Sequence, residues 1–281
     1  MNKKVYIDQN IYEDILQQRD KKIVSVIQEN YYNYDFFYSP AHIEEVTASQ
    51  RNEKDASLAT RRINEKLNNI RLITQNNEFL PSLDGAIINS REEPYECMER
   101  VMIDYENTTL LAEKIDNEFL SRQKEQFVCQ LCNKTIESYH DFRIRKGIDK
   151  QNLKHINDVN PDKLFEQEKV IASLNEASAI LHFDVTKCKK WNEIKYIHKD
   201  IEFTIQKLYE VLEVLGYKIE KIAKSRMHDI THTIYATASD IFVVEDKKLY
   251  CKAKAIYSYL EIPTKVFCKQ EFIDYLNNKE Q

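Results

Sequence analysis

The C-terminal stretch 228–278 switches repeatedly between two hydrophobic periods, and that switching limits what the chain can become. Residues 228–239 have helical spacing, IFVV (241–244) is a short apolar run, and 248–260 is helical again. TKVF (264–267) is a second apolar run, and 269–278 closes on a helix. Strands separated by helices are not hairpins; they lie parallel, joined by right-handed crossovers. The N-terminal end has the same design. VYID (5–8) and DFFYS (35–39) read as strands, with a helical pattern at Ile11, Ile15, Ile23, Val26 and Ile27 between them. Ser39 and Pro40 suit the cap and first turn of a helix expected to run to about 70. Both ends of the chain are expected to share one parallel sheet.

The middle reads differently. The 281 residues include only three glycines and five prolines, which favours long helices. Residues 76–96, rich in Asn with a Gly and two Pro, read as loop, and 97–145, about 162–182 and 190–215 read as helices. The last has Ile201, Ile205, Leu208, Leu212 and Leu215 on one stripe, ending at Gly216, a C-cap residue. The expectation is an α/β core built from 1–80 and 216–281, interrupted by a mainly helical insertion, 81–215. No apolar run has the length of a membrane span, and MNKK runs straight into the first strand without a signal-like core. A cytoplasmic protein without a membrane partner is expected, with its six cysteines reduced. Cys251 and Cys268 read as small core residues. Cys129 and Cys132 form a C-x-x-C, but no second tight pair completes four zinc ligands, so two thiols on a helix face are expected there.

In parallel sheets, ligands bind beyond the carboxyl ends of the strands. Asp8 ends the first strand and Asp246 follows IFVV. Glu45 lies in the helix after the second strand, and Asp229 lies in the helix before IFVV. Each has an ordinary reading alone: cap, solvated position or turn. Four carboxylates at one sheet end repel one another unless a cation neutralises them, and hard oxygen ligands suit Mg²⁺ or Mn²⁺.

Three stretches give this set a resemblance to a PIN-type nuclease domain. VYIDQN resembles the family's first strand, with Asp8 its first acid. YSPAHIEEV resembles the element that follows the second strand, and register places Glu45 on the family's Glu. DITHTIYATASDIFVVEDKKL resembles the last unit and carries Asp229 and Asp246 over. His232 and Asp240 also look like positions often filled alike; His232, one helical turn from Asp229, would orient that carboxylate, and Asp240 has the alternative role of capping the approach to the strand, while Asn10 and Ser39 stand beside the acids in the same stretches. Val244 departs from the usual Thr or Ser two residues before the final acid, and the insertion is far longer than in a compact toxin. The resemblance implies a three-layer α/β/α fold, and a Mg²⁺- or Mn²⁺-dependent endonuclease with RNA favoured over DNA. It further implies a toxin or defence-type effector, restrained or activated by a protein partner.

Two other readings compete. One is a catalytically silent nucleic-acid-binding or regulatory module on the same fold. The other is an HD-type phosphohydrolase, from His228-Asp229 with His198, which leaves the VYID and IFVVED strands without a role because that fold is all-helical. Asp8-Gln-Asn10 also resembles the start of a haloacid-dehalogenase site, with Asn10 where the second acid belongs. The insertion has basic groups at Arg143, Arg145, Lys146, Lys150 and Lys154, and at Lys187, Lys189, Lys190, Lys195 and Lys199 with Trp191 and Tyr196 among them. Such groups hold phosphates and stack bases, or simply make a solvated face.

Overall fold

The computed structural model describes residues 2–50, 53–82, 85–102, 127–128, 135–136, 139–145, 156–168, 170–171, 181, 183–219 and 223–278. The chain divides into two compact units, 1–107 with 231–250 and 263–281, and 108–230 with 251–262. The boundaries therefore fall well past 80 and 215, and part of a C-terminal helix belongs to the second unit.

The first unit holds a four-stranded parallel sheet. Its strands are β1 (Lys3–Ile7), β2 (Tyr34–Phe37), β7 (Ile241–Val244) and β8 (Lys265–Cys268), in the order β2-β1-β7-β8. The two central strands are apolar without alternation because both faces are covered: Val5, Tyr6 and Ile7 are buried, as is all of β7. Helices α1 (Gln9–Leu16), α2 (Lys21–Asn30) and the last helix (Lys269–Asn277) supply Ile11, Ile23, Ile27, Phe272 and Leu276 to a shared core. The single helix expected after β1 is two. The chain breaks at Gln18, with φ 50°, and Asp20 caps the second helix through the Lys22 N–H. The helix after β2 is likewise two, α3 (Pro40–Ser49) and α4 (Ala56–Thr74), with Asp55 capping the second.

Residues 76–96 contain a hairpin where loop was expected. β3 (Asn77–Pro81) pairs antiparallel with β4 (Ile87–Arg91), and the turn-forming residues lie between them. Buried Phe79 stacks on Phe37 at 4.3 Å, and the Phe79 N–H donates to the Tyr38 carbonyl at 2.8 Å. The hairpin thus docks on the end of β2, which outweighs its weak strand composition.

The second unit is built around the helix His198–Leu215, here α7. All five residues of its expected stripe are buried, and Gly216 closes it with φ 80°. The helix expected from 190 begins separately as α6 (Trp191–Ile194). Within the stretch 97–145, expected to be helical, Phe127–Val128 pairs antiparallel with Thr135–Ile136, ahead of α5 (Tyr139–Arg145). Cys129 and Cys132 lie outside the described residues. Lys252 and Glu213, both fully buried, meet at 2.8 Å. Cys251 is buried as expected, whereas Cys268 is half-buried at the cap of the last helix. No helix among the described residues is long and apolar enough to cross a membrane.

Candidate active site at the carboxyl ends of the strands

Asp8 is the first residue beyond β1. Its N–H donates to the Val243 carbonyl at 3.0 Å, which fixes it beside the end of β7. Oδ1 accepts the Ile11 N–H at 3.2 Å and caps α1, and Oδ2 accepts the Glu245 N–H at 2.8 Å. The side chain is 2% exposed, and no lysine or arginine among the described residues pairs with it. Burial pushes its carboxyl up to about 6; the Glu245 N–H, His232 and the Ile11 N–H oppose the rise, and Glu45 adds to it.

Glu45 approaches from α3. Its Oε2 lies 3.5 Å from His232 Nε2. The neighbouring Glu44 carboxyl is raised, chiefly by burial. His232 sits on the helix Ala223–Ala236, here α8, and is 2% exposed. Behind it runs a buried polar chain. The Tyr6 hydroxyl lies 2.8 Å from His232 Nδ1 and 2.6 Å from Ser39 Oγ. The Ser39 N–H donates to His42 Nδ1 at 3.1 Å, and His42 Nε2 lies 2.8 Å from the Ile7 carbonyl. One arrangement of protons satisfies the chain behind His232. His42 must carry its proton on Nε2, because a carbonyl can only accept. With His232 Nε2–H turned toward Glu45, its Nδ1 accepts from Tyr6, which accepts from the Ser39 hydroxyl. Burial, helped by His232, holds His42 down to about 3, so it is neutral. Tyr6, Ser39 and His42 thus fix the His232 imidazole with its Nε2 3.5 Å from Glu45 Oε2.

The remaining sequence candidates are placed less uniformly. Asp246 is exposed, and its Oδ1 caps the following helix α9 (Lys247–Leu260) through the N–H groups of Lys248 and Leu249 at 2.7 and 2.9 Å. Asp229 is half-buried on α8, three residues before His232, but the division between the two units falls between Ile230 and Thr231. Asp240 is at the wrong end of the sheet. It precedes β7, takes the Lys4 N–H at 2.8 Å, and so marks the amino ends of the strands. Asn10 is exposed in the first turn of α1.

Sequence reasoning missed two groups. Lys269, just past β8, reaches Asp14 and Glu245 at 2.7 Å each and Asp20 at 3.4 Å. The second group joins the hairpin to a helix over 94–102. Among the described residues, Glu78, Glu92 and Cys97 are the ones whose ligand atoms lie within 4.8 Å of one another; Asp8, Glu45 and Asp246 are not drawn so close. A cation already stands at the focus of that group. Arg100 Nη2 lies 2.8 Å from Glu78 Oε1, 2.6 Å from Glu92 Oε2 and 3.4 Å from Cys97 Sγ. A metal there would have to displace the guanidinium, so the arrangement fits a metal poorly. Burial, with Glu92, still pushes the Glu78 carboxyl up to about 7.

Several of the basic residues in the second unit have structural work. Arg143 donates to the Glu213 carbonyl at 2.8 Å and closes the end of α7, and Arg145 lies over the Phe142 ring. Lys190 lies over the Tyr259 ring and donates to the Tyr259 carbonyl. Lys187 pairs with Asp184 at 3.0 Å. Lys189 is exposed, and Trp191 is half-buried at the start of α6. Lys146, Lys150 and Lys154 lie outside the described residues. No family model, curated protein or solved structure matches this chain.

Proposed function

We propose that the chain is a PIN-like, three-layer α/β/α nuclease that hydrolyses phosphodiester bonds, RNA before DNA, with Mg²⁺ or Mn²⁺. The observation that carries the reading is Asp8: a buried carboxylate at the end of a central strand, where parallel sheets bind ligands, with no lysine or arginine among the described residues paired with it. The donor chemistry fits a hard cation. Each Asp8 oxygen takes one backbone N–H and keeps a further lone pair, and Glu45 adds a second carboxylate. Asp246 would join through the oxygen that does not cap α9. A bound metal would supply an activated water and offset charge growing on the phosphate. His232, pinned by Tyr6, orients the Glu45 carboxylate, as hydrogen-bonded outer groups orient ligands in other metal sites. The Glu245 N–H holds Asp8 at a fixed rotamer. A toxin or defence-type effector, controlled by a protein partner, is the biological setting we infer from the resemblance.

A catalytically silent binding module is the second reading, favoured by the cap role of Asp246. The HD-type reading loses ground because the apolar runs form a parallel sheet. The test is degradation of RNA and DNA by purified protein with Mg²⁺ or Mn²⁺, then with EDTA. Cleavage that needs the metal supports the proposal, and cleavage that survives thorough chelation refutes it.

A further inference from the structure

The second unit contains a cavity of about 280 Å³ between the turn Val185–Lys187 and the first turns of α7. Ligand pockets run from about 300 to 1,000 Å³, so this one suits a single small ring system. Its wall is aromatic. Phe203, on α7, is 53% exposed, and the Phe183 ring meets it edge-on at 5.8 Å and 77°. An exposed phenyl face braced by a second ring is a stacking platform. The deeper lining includes Ile194, which is buried, and Cys188, whose thiol burial pushes up to about 11 and so keeps neutral. Charge stands at the rim. Lys187 is committed to Asp184, but Lys189 has no ion-pair partner among the described residues. Asp200, also in the lining, offers carboxylate oxygens. Alongside, Tyr196 is 65% exposed and Ile197 46% exposed. Of the nearby lysines, Lys190 is held by Tyr259 and Lys195 reaches Asn192, so Lys189 is the cation that the lining offers to a ligand.

We propose that this cavity takes an unpaired base of a single-stranded nucleic acid. The base stacks on Phe203, its donor edge faces Asp200, and the adjoining phosphate meets Lys189. A purely apolar ligand would leave Lys189 and Asp200 without a role, and a free anion would not need two phenyl rings. A stacking face with a lysine beside it is the chemistry of single-strand binding. The choice of nucleic acid rests on the nuclease reading above.

The experiment measures binding, not cleavage. The full-length protein in EDTA is titrated into a fluorescein-labelled, mixed-sequence single-stranded RNA octanucleotide, into the matching duplex, and into the labelled octanucleotide with excess inorganic phosphate as competitor. The single strand should bind more tightly than the duplex and should resist the phosphate. Phe203→Ala should weaken binding about tenfold with the salt dependence unchanged. Lys189→Gln should flatten the salt dependence by about 0.7 in log–log slope, the loss of one phosphate contact. Both positions are exposed, and circular dichroism checks that the fold is kept. The proposal is overturned if the single strand fails to bind, if the duplex binds equally, or if Phe203→Ala binds like wild type. Metal-dependent cleavage without such binding would remove this pocket alone. Binding without cleavage would leave the pocket standing and remove the nuclease.

Discussion

Two buried acidic groups in the first unit meet the same problem in different ways. Glu78 and Glu92 are bridged by Arg100, so the chain itself supplies the counter-charge. Asp8 has two backbone N–H donors and a nearby imidazole, with no lysine or arginine among the described residues. Burying a carboxylate costs several kcal/mol unless something offsets it. Where the offset is built in, the group is part of the architecture and ties the hairpin to the helix over 94–102. Where it is left open, as at Asp8, the group is the metal site we propose. The most metal-like set of ligand atoms by distance alone is therefore the poorer candidate, because its centre is filled.

The largest effect that could break this contrast is on turnover. Asp8→Asn should lower cleavage by roughly two to three orders of magnitude, the scale of removing one electrostatic group from an active site. The same change should stabilise the metal-free protein at neutral pH and above. The Asp8 carboxyl rises from 3.8 to about 6 on folding, so its stabilising proton is fully held below 3.8 and lost as pH climbs through 6. Removing the charge should return up to roughly 3 kcal/mol above that pH and almost nothing below 4. Thermal melts at pH 4 and 8 measure this, and equal shifts at both would show that Asp8 is not a strained acid.

Arg100→Met should do the reverse: cleavage within a few-fold of wild type, and a stability loss of about 3 kcal/mol at pH 8 from two uncompensated carboxylates. Loss of cleavage with the fold intact would merge the two regions into one functional unit. Smaller again is Tyr6→Phe, which frees His232 and so loosens Glu45. Cleavage should fall about tenfold, as for other outer groups of metal sites. An unaffected rate would reduce the Tyr6–Ser39–His42 chain to core packing. The smallest effect should be Glu44→Gln, under about threefold in rate, against a severe loss for Glu45→Gln, since Glu45 is the carboxylate His232 reaches. The opposite ranking would move the site by one residue along α3.

What the sequence disclosed follows from how much each residue's role depends on local pattern. β1 and β7 were legible because burial on both faces demands unbroken apolar runs. α7 was legible because its stripe and Gly216 are local signals. The break at Gln18 was hidden, since the apolar spacing carries across two helices and only the cap at Asp20 marks the restart. The hairpin was hidden because Phe37 and Tyr38, distant in sequence, stabilise it. Asp8 could be placed from its position at a strand end. Of the two roles open to Asp240, the structure favours the one at the approach to the strand: β7 separates it from Asp246 and puts the two at opposite ends of the strands. Tyr6 reads as a strand filler and Arg100 as a solvated helix residue, because neither has a partner within reach of a local pattern.

The most direct measurement is Mn²⁺ binding by calorimetry to wild type, Asp8→Asn and Cys97→Ser at pH 7.5, repeated for wild type at pH 5. Wild type and Cys97→Ser should bind alike, and Asp8→Asn should lose most of the affinity. At pH 5 wild type should bind about tenfold more weakly, because protons hold an Asp8 carboxyl whose titration lies near 6. Undiminished binding by Asp8→Asn, or binding that disappears with Cys97→Ser instead, would contradict the assignment of the metal to the carboxyl end of the sheet.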